Sequence, residues 1–178
     1  MEALAPFRIP VANLKSDFAR YDWEIGPDFF RLFDDEHDAE KGHFAVSMDL
    51  AKAGTVTTLT FQISGVVETP CDRCLAPIEM PVEGEYEIIV KFGDPTESTD
   101  EVIVIDPEAH SLNVGKHIYD FVLLSIPISR RIPGCEQSSN PPCDMAVLAY
   151  LSKQEENNNS SEGDDDSLWG DLRKVIDN

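Results

Sequence analysis

The sequence predicts an α+β, β-rich fold: a mainly antiparallel sheet with a few short helices. Three observations carry this reading. Apolar and polar residues alternate in two runs on either side of Gly54, two further β-rich runs follow, and helical spacing begins only near Val114. A partial barrel and a sandwich both satisfy this order of elements.

The elements follow in chain order. Residues 7–14 read as a short extended piece, with Pro10 at an edge or a bend. Tyr21, Trp23 and Ile25 alternate with Asp22 and Glu24, the period of a half-buried strand. Gly26-Pro27-Asp28 breaks it, and Pro27 opens a helical turn with Phe29, Phe30, Leu32 and Phe33 on its apolar side. An acidic patch, residues 34–40, precedes the clearest signal. Phe44, Val46, Met48 and Leu50, then a turn at Ala53-Gly54, then Leu59, Phe61 and Ile63 make an antiparallel hairpin. Gly65 inside the second run predicts a bulge or bend. Residues 83–92 place Tyr86, Ile88, Val90 and Phe92 on one face, and residues 102–105 are a fourth strand, with an exposed acidic loop, 93–101, between. Val114, Ile118, Phe121, Val122 and Leu124 follow helical spacing, stopped by Pro127, and Asp144 caps a second short helix bearing Met145, Leu148 and Ala149. Residues 1–152 therefore read as a single domain. The Glu/Asn/Ser/Asp tract 153–166 is too polar to bury a core and reads as a disordered linker. Residues 167–178 close with a short amphipathic helix, Ser167 its N-cap and Leu168 or Trp169, Leu172 and Val175 or Ile176 on one face.

Charge narrows the function. The 178 residues carry 14 Lys+Arg against 34 Asp+Glu, a formal charge of -20. Nucleic-acid binding rests on cations displacing counterions from phosphate, so weak or no binding to naked nucleic acid is expected. Basic partners are favoured, with steering that weakens as salt rises; the plainer alternative is that acidity only confers solubility. No secretory signal opens the chain, and no run approaches the roughly 18 apolar residues a membrane helix needs. A cytoplasmic protein without membrane contact is expected, and there structural disulfides are rare.

The four cysteines then need another role. Cys71-Asp72-Arg73-Cys74 lies in a turn between two strands, and this short spacing lets both sulfurs face one point, half of a tetrahedral thiolate site. Cys135 and Cys143 fall in a later loop, with residues 136–142 between them, longer than the usual spacing of about two to four. One structural zinc held by Cys71, Cys74, Cys135 and Cys143 uses every cysteine; the alternative is four reduced thiols. A thioredoxin-like pair fits less well, because that C-x-x-C opens a helix. His37, His43, His110 and His117 sit in no metalloprotease or nucleophile signature, and no phosphate-binding glycine loop is present. An enzyme is not expected.

Several segments resemble the YceD family: Asp22-Trp23-Glu24-Ile25, Pro70-Cys71-Asp72-Arg73-Cys74-Leu75, Pro81-Val82-Glu83-Gly84, Lys91-Phe92-Gly93, Ile118-Tyr119-Asp120-Phe121 and Leu124-Ser125-Ile126-Pro127. A tail with Leu168-Trp169 and Leu172 behind an acidic linker fits the same pattern. The resemblance implies a bacterial protein, with plastid relatives, that supports accumulation of large-subunit ribosomal RNA. Its gene commonly neighbours that of a small basic ribosomal protein. One departure stands out: Arg131-Ile132-Pro133 occupies a stretch where relatives often carry a His, and Cys135 is additional. Three functions follow as expectations. The first is an assembly factor contacting a basic ribosomal protein or a pre-ribosomal particle, with Arg73, Leu168, Trp169 and Leu172 meeting the partner. The second is direct RNA binding around Cys71, Cys74, Arg130 and Arg131. The third is a metal or thiol sensor.

Overall fold

The computed structural model describes residues 4–11, 17–33, 41–132 and 143–159. In chain order these form β1 (Arg8–Pro10), β2 (Phe18–Ile25), α1 (Pro27–Phe30), β3 (Gly42–Ala53), β4 (Val56–Pro70), β5 (Pro77–Phe92), β6 (Val102–Ile105), β7 (Ser111–Asn113), α2 (Gly115–Ser125) and α3 (Met145–Asn159), with 3-10 turns at Ala5–Phe7 and Pro95–Glu97. Strands β2 to β6 lie side by side in sequence order as one sheet, and β1 with β7 makes a separate two-stranded ribbon. The architecture is β-rich α+β, and the sheet does not close into a barrel.

Register follows from the alternation read in the sequence. Tyr21, Met48, Phe61 and Tyr86 form one cross-strand row, and Ala19, Leu50, Leu59 and Ile88 the next. Because side chains alternate in a strand, these rows share a face, and Met48, Leu50, Leu59 and Phe61 are fully buried on it. Helix α2 roofs this face: Phe121 stacks on Tyr86 at 4.4 Å and meets Phe61 edge-on at 5.3 Å. Helix α1 brings Phe30 against Phe44 at 5.8 Å. Each fully buried aromatic of this kind contributes about 1.5–3 kcal/mol through apolar burial. Pro27 opens α1 as expected, and Phe29 and Phe30 are buried, but Leu32 turns outward and is exposed.

The structure corrects several other expectations. Gly65 makes no bulge: it pairs one-to-one with Phe44 and with Val82 in uninterrupted ladders. Its reason is steric, since a Cβ there would lie 2.3 Å from the His43 carbonyl oxygen. Strand β5 begins at Pro77, earlier than the expected residue 83: Ile78, Met80 and Val82 continue the buried alternation, punctuated only by Pro77 and Pro81. It pairs with β6 only from Ile89 to Phe92, so among the described residues Pro77 and Pro81 lie along a free margin, where a missing N–H does no harm. Strand β6 runs parallel to β5. The loop between them folds back on it: Ser98 Oγ accepts from the Val104 N–H at 3.0 Å, and the Val102 N–H donates to Thr99 Oγ1 at 3.1 Å. That seals the β6 edge against further pairing. Strand β7 carries too little alternation to be read from the sequence; it exists because β1 supplies a partner. Helix α3 runs to Asn159 and takes in residues 153–159 of the tract expected to be a disordered linker. The rest of that tract and the amphipathic tail lie outside the described residues.

Candidate functional site

The tip of the β4–β5 hairpin is built to hold sulfur. Pro70 pairs with Pro77, and the turn between them closes with the Cys71 N–H donating to the Ala76 carbonyl at 2.8 Å and the Leu75 N–H to the Cys71 carbonyl at 2.9 Å. Leu75 holds a φ of 60°, a left-handed conformation that costs a side-chain-bearing residue about 1–2 kcal/mol. It swings the chain back and leaves its own side chain exposed, while Cys71 and Cys74 point inward and are buried.

Two other segments converge on this turn. The Asp72 N–H donates to the Arg130 carbonyl at 3.0 Å, and the Arg130 N–H returns a bond to Asp72 Oδ2 at 2.7 Å. The Arg130 guanidinium reaches the buried Thr69 hydroxyl at 3.2 Å. From the other side comes α3. Asp144 caps it as expected, its Oδ1 accepting from the Ala146 and Val147 N–H groups at 2.9 and 3.3 Å. The Asp144 backbone and the neighbouring Cys143 thiol both bond Cys74. Three of the four cysteines thus meet. Cys74 is held below the ordinary thiol range, first by the backbone of Ala76, then by that of Asp144; burial opposes this, and the Cys71 and Cys143 thiols add smaller contributions. The thiolate, the form that binds metals, therefore forms more readily there than at an ordinary cysteine.

Cys71, Cys74 and Cys143 are free thiols. Among the described residues, no group of three or more His, Cys, Asp or Glu side chains is arranged to hold a metal ion. Cys135, the fourth member of the expected set, lies outside the described residues, as do Leu168, Trp169 and Leu172. Arg73 is exposed on the turn. Helix α3 was legible through its cap, but nothing in the spacing shows that the cap abuts Cys74. The Asp72–Arg130 clamp joins positions too far apart in sequence to signal one another.

Sequence reasoning also missed the outer face of the sheet. Three successive cross-strand rows there read Arg20, Asp49, Thr60, Glu87; then Asp22, Ser47, Gln62, Glu85; then Glu24, Ala45, Ser64, Glu83. Carboxylates stand on β2 (Asp22, Glu24) and on β5 (Glu83, Glu85, Glu87); between them are Asp49 and otherwise neutral residues, and Arg20 shares the β2 column. Arg20 reaches Asp22 and Asp49, both at 3.4 Å, while Glu24, Glu83, Glu85 and Glu87 form no ion pair among the described residues. Two hollows of about 370 and 410 Å³ open on this face and share Gln62, Ile63 and Ser64 in their lining.

The fold and these features define an acidic sheet protein with a thiol-bearing hairpin tip. No helix among the described residues is long and apolar enough to cross a membrane. Residues 59–175 match the family described as large ribosomal RNA subunit accumulation protein YceD, and the chain belongs to that family. Its description ties it to accumulation of large-subunit ribosomal RNA, and it is not a known enzyme family. No curated protein and no solved structure matches the chain.

Proposed function

We propose that this protein is a non-catalytic, cytoplasmic accessory factor in large-subunit assembly, acting by contact with a basic ribosomal protein or a pre-ribosomal particle. The outer sheet face carries the reading: carboxylates line both of its flanks, and a cationic partner relieves their mutual repulsion. Around the thiol turn, Cys71, Cys74, Cys143 and Cys135 would hold one structural zinc, which would tie α3 to the hairpin. The Cys71 and Cys143 thiols beside Cys74, whose own thiol ionises more readily than an ordinary one, support it.

A second reading, direct RNA contact, rests on Arg73, Arg130 and Arg131 around the same turn. Co-purification from cells with and without nuclease separates the two. Basic ribosomal proteins that stay bound after nuclease support the proposal; their complete loss supports RNA contact. In cells carrying only Glu83→Lys with Glu85→Lys, large-subunit ribosomal RNA should fall at least about twofold relative to small-subunit RNA. Metal analysis of the purified full chain should give about one zinc per chain, reduced to near zero by Cys71→Ser with Cys74→Ser.

A further inference from the structure

Resting on the reading that the partner is basic, we propose that the outer sheet face seats one amphipathic helix of a partner protein, with Lys or Arg along both flanks, lying lengthwise over β3 and β4. The distribution of charge sets the orientation. Asp22 and Glu24 stand exposed on β2, where Arg20 at the end of the column bonds Asp22 and Asp49. Glu83, Glu85 and Glu87 stand exposed on β5, with no ion pair among the described residues. These rims are three strand spacings apart, about 14 Å. An α-helix with its side chains is about 10–12 Å across, so it fills the gap and presents cations to both rims at once. A single extended segment is narrower and points only alternate side chains at the sheet.

The floor suits close approach. Ala45, Ser47 and Ser64 are short and Gln62 is neutral, and the two hollows lie over these positions; Asp49 and Thr60 follow toward the Phe18 end, Asp49 paired with Arg20. Apolar contacts stand at both ends of the floor. At one end Phe18, Ala51, Thr58 and Ile89 form a cross-strand row, with Phe18 57% exposed. At the other, Val66 is 46% exposed beside Pro81. From Thr58 to Val66 the strand advances roughly 27 Å, the length of about 18 helical residues. The seat thus specifies a helix of four to five turns, apolar near each end and cationic on both sides between. Such a helix also relieves the repulsion of like charges ranked along β5.

The test uses the full chain, labelled with ¹⁵N, and three synthetic peptides of about 18 residues. The first is a Lys-flanked amphipathic helix with Leu near each end, the second has the same composition with a central proline, and the third replaces each Lys with Glu. The first should shift the amides of Ala45, Ser47, Gln62, Ser64 and Glu85. The proline peptide should bind at least about tenfold more weakly, and the Glu peptide not at all. Glu83→Lys with Glu85→Lys should weaken the first peptide about tenfold, and Phe18→Ser several-fold; all three sites are exposed, so folding is retained. Shifts centred elsewhere, or equal binding of the proline peptide, overturn the proposal. If nuclease-resistant co-purification persists while the shifts lie on another surface, the basic-partner reading survives and this placement falls. If both fail, both are wrong.

Discussion

Leu75 occupies a backbone conformation that suits glycine or asparagine, yet it is a leucine and 68% exposed. Little burial is at stake, so Leu75→Asn should raise stability by about 0.5–1 kcal/mol in a denaturant titration. An unchanged midpoint would show that the left-handed turn carries no strain in this context. Asp72 acts differently, since its carboxylate fixes the Arg130 backbone to the turn; Asp72→Ala should cost about 0.5–1.5 kcal/mol. His117 supplies a pH signature. Burial is the main force holding it below the ordinary imidazole value of 6.5; Asp120 opposes and Lys116 assists. The unfolded chain therefore takes up this proton at higher pH than the folded one. The stability from neutral His117 is full above pH 6.5 and is lost as pH falls through the folded value. His117→Gln should therefore lose less thermal stability between pH 7 and pH 5 than the wild type. Parallel curves would mean that His117 does not contribute.

The two long hairpins show what alternation alone achieves. Alternation joined Phe44, Val46, Met48 and Leu50 to Leu59, Phe61 and Ile63 in one hairpin. Their partners were fixed by the turn at Gly54-Thr55, one residue later than expected, where Gly54 takes a φ of 63° and Ala53 pairs with Val56. Gly65 was legible as a special position but not in its meaning, and Gly84 was not legible as one. At Gly65 a Cβ would strike the His43 backbone, whereas at Gly84 it would strike the Ser125 hydroxyl, 2.2 Å away, and the Tyr86 ring. Side chains can rotate away and a ladder carbonyl cannot. Gly65→Ala should therefore destabilise by more than Gly84→Ala, which should cost about 1–3 kcal/mol. Comparing the midpoints of the two variants tests this, and the reverse order would show that the sheet yields more readily than the α2 contact. Helix α3 depends on its cap, and Asp144→Ala should cost about 0.5–2 kcal/mol.

Across the molecule, the charge of -20 weighs against the compact state through self-repulsion. Added salt should raise the melting temperature between 20 and 200 mM, because the Debye length shrinks to about 8 Å by 0.15 M. Neutralising the β5 column with Glu83→Gln, Glu85→Gln and Glu87→Gln should raise stability most at the lowest salt. A melting temperature indifferent to salt would mean that these carboxylates stand too far apart to matter. The same charge implies that duplex RNA binds weakly or not at all at physiological salt, which a filter-binding titration measures.

Local pattern settled much of this protein. Alternation at residues 44–50 and 59–63, the helical spacing from Val114 to Leu124, Pro27 at a helix start and Asp144 at a cap each follow from interactions within a few positions. The C-x-x-C marked the hairpin tip for the same reason. What depended on distant partners was invisible. β7 needs β1, the parallel course of β6 needs a loop that folds back, and Cys143 reaches Cys74 only through the placement of α3. The facing rims of carboxylate belong here too. Asp22 and Glu85 are ordinary exposed acids in the chain, and they flank one surface only because four strands set them in register.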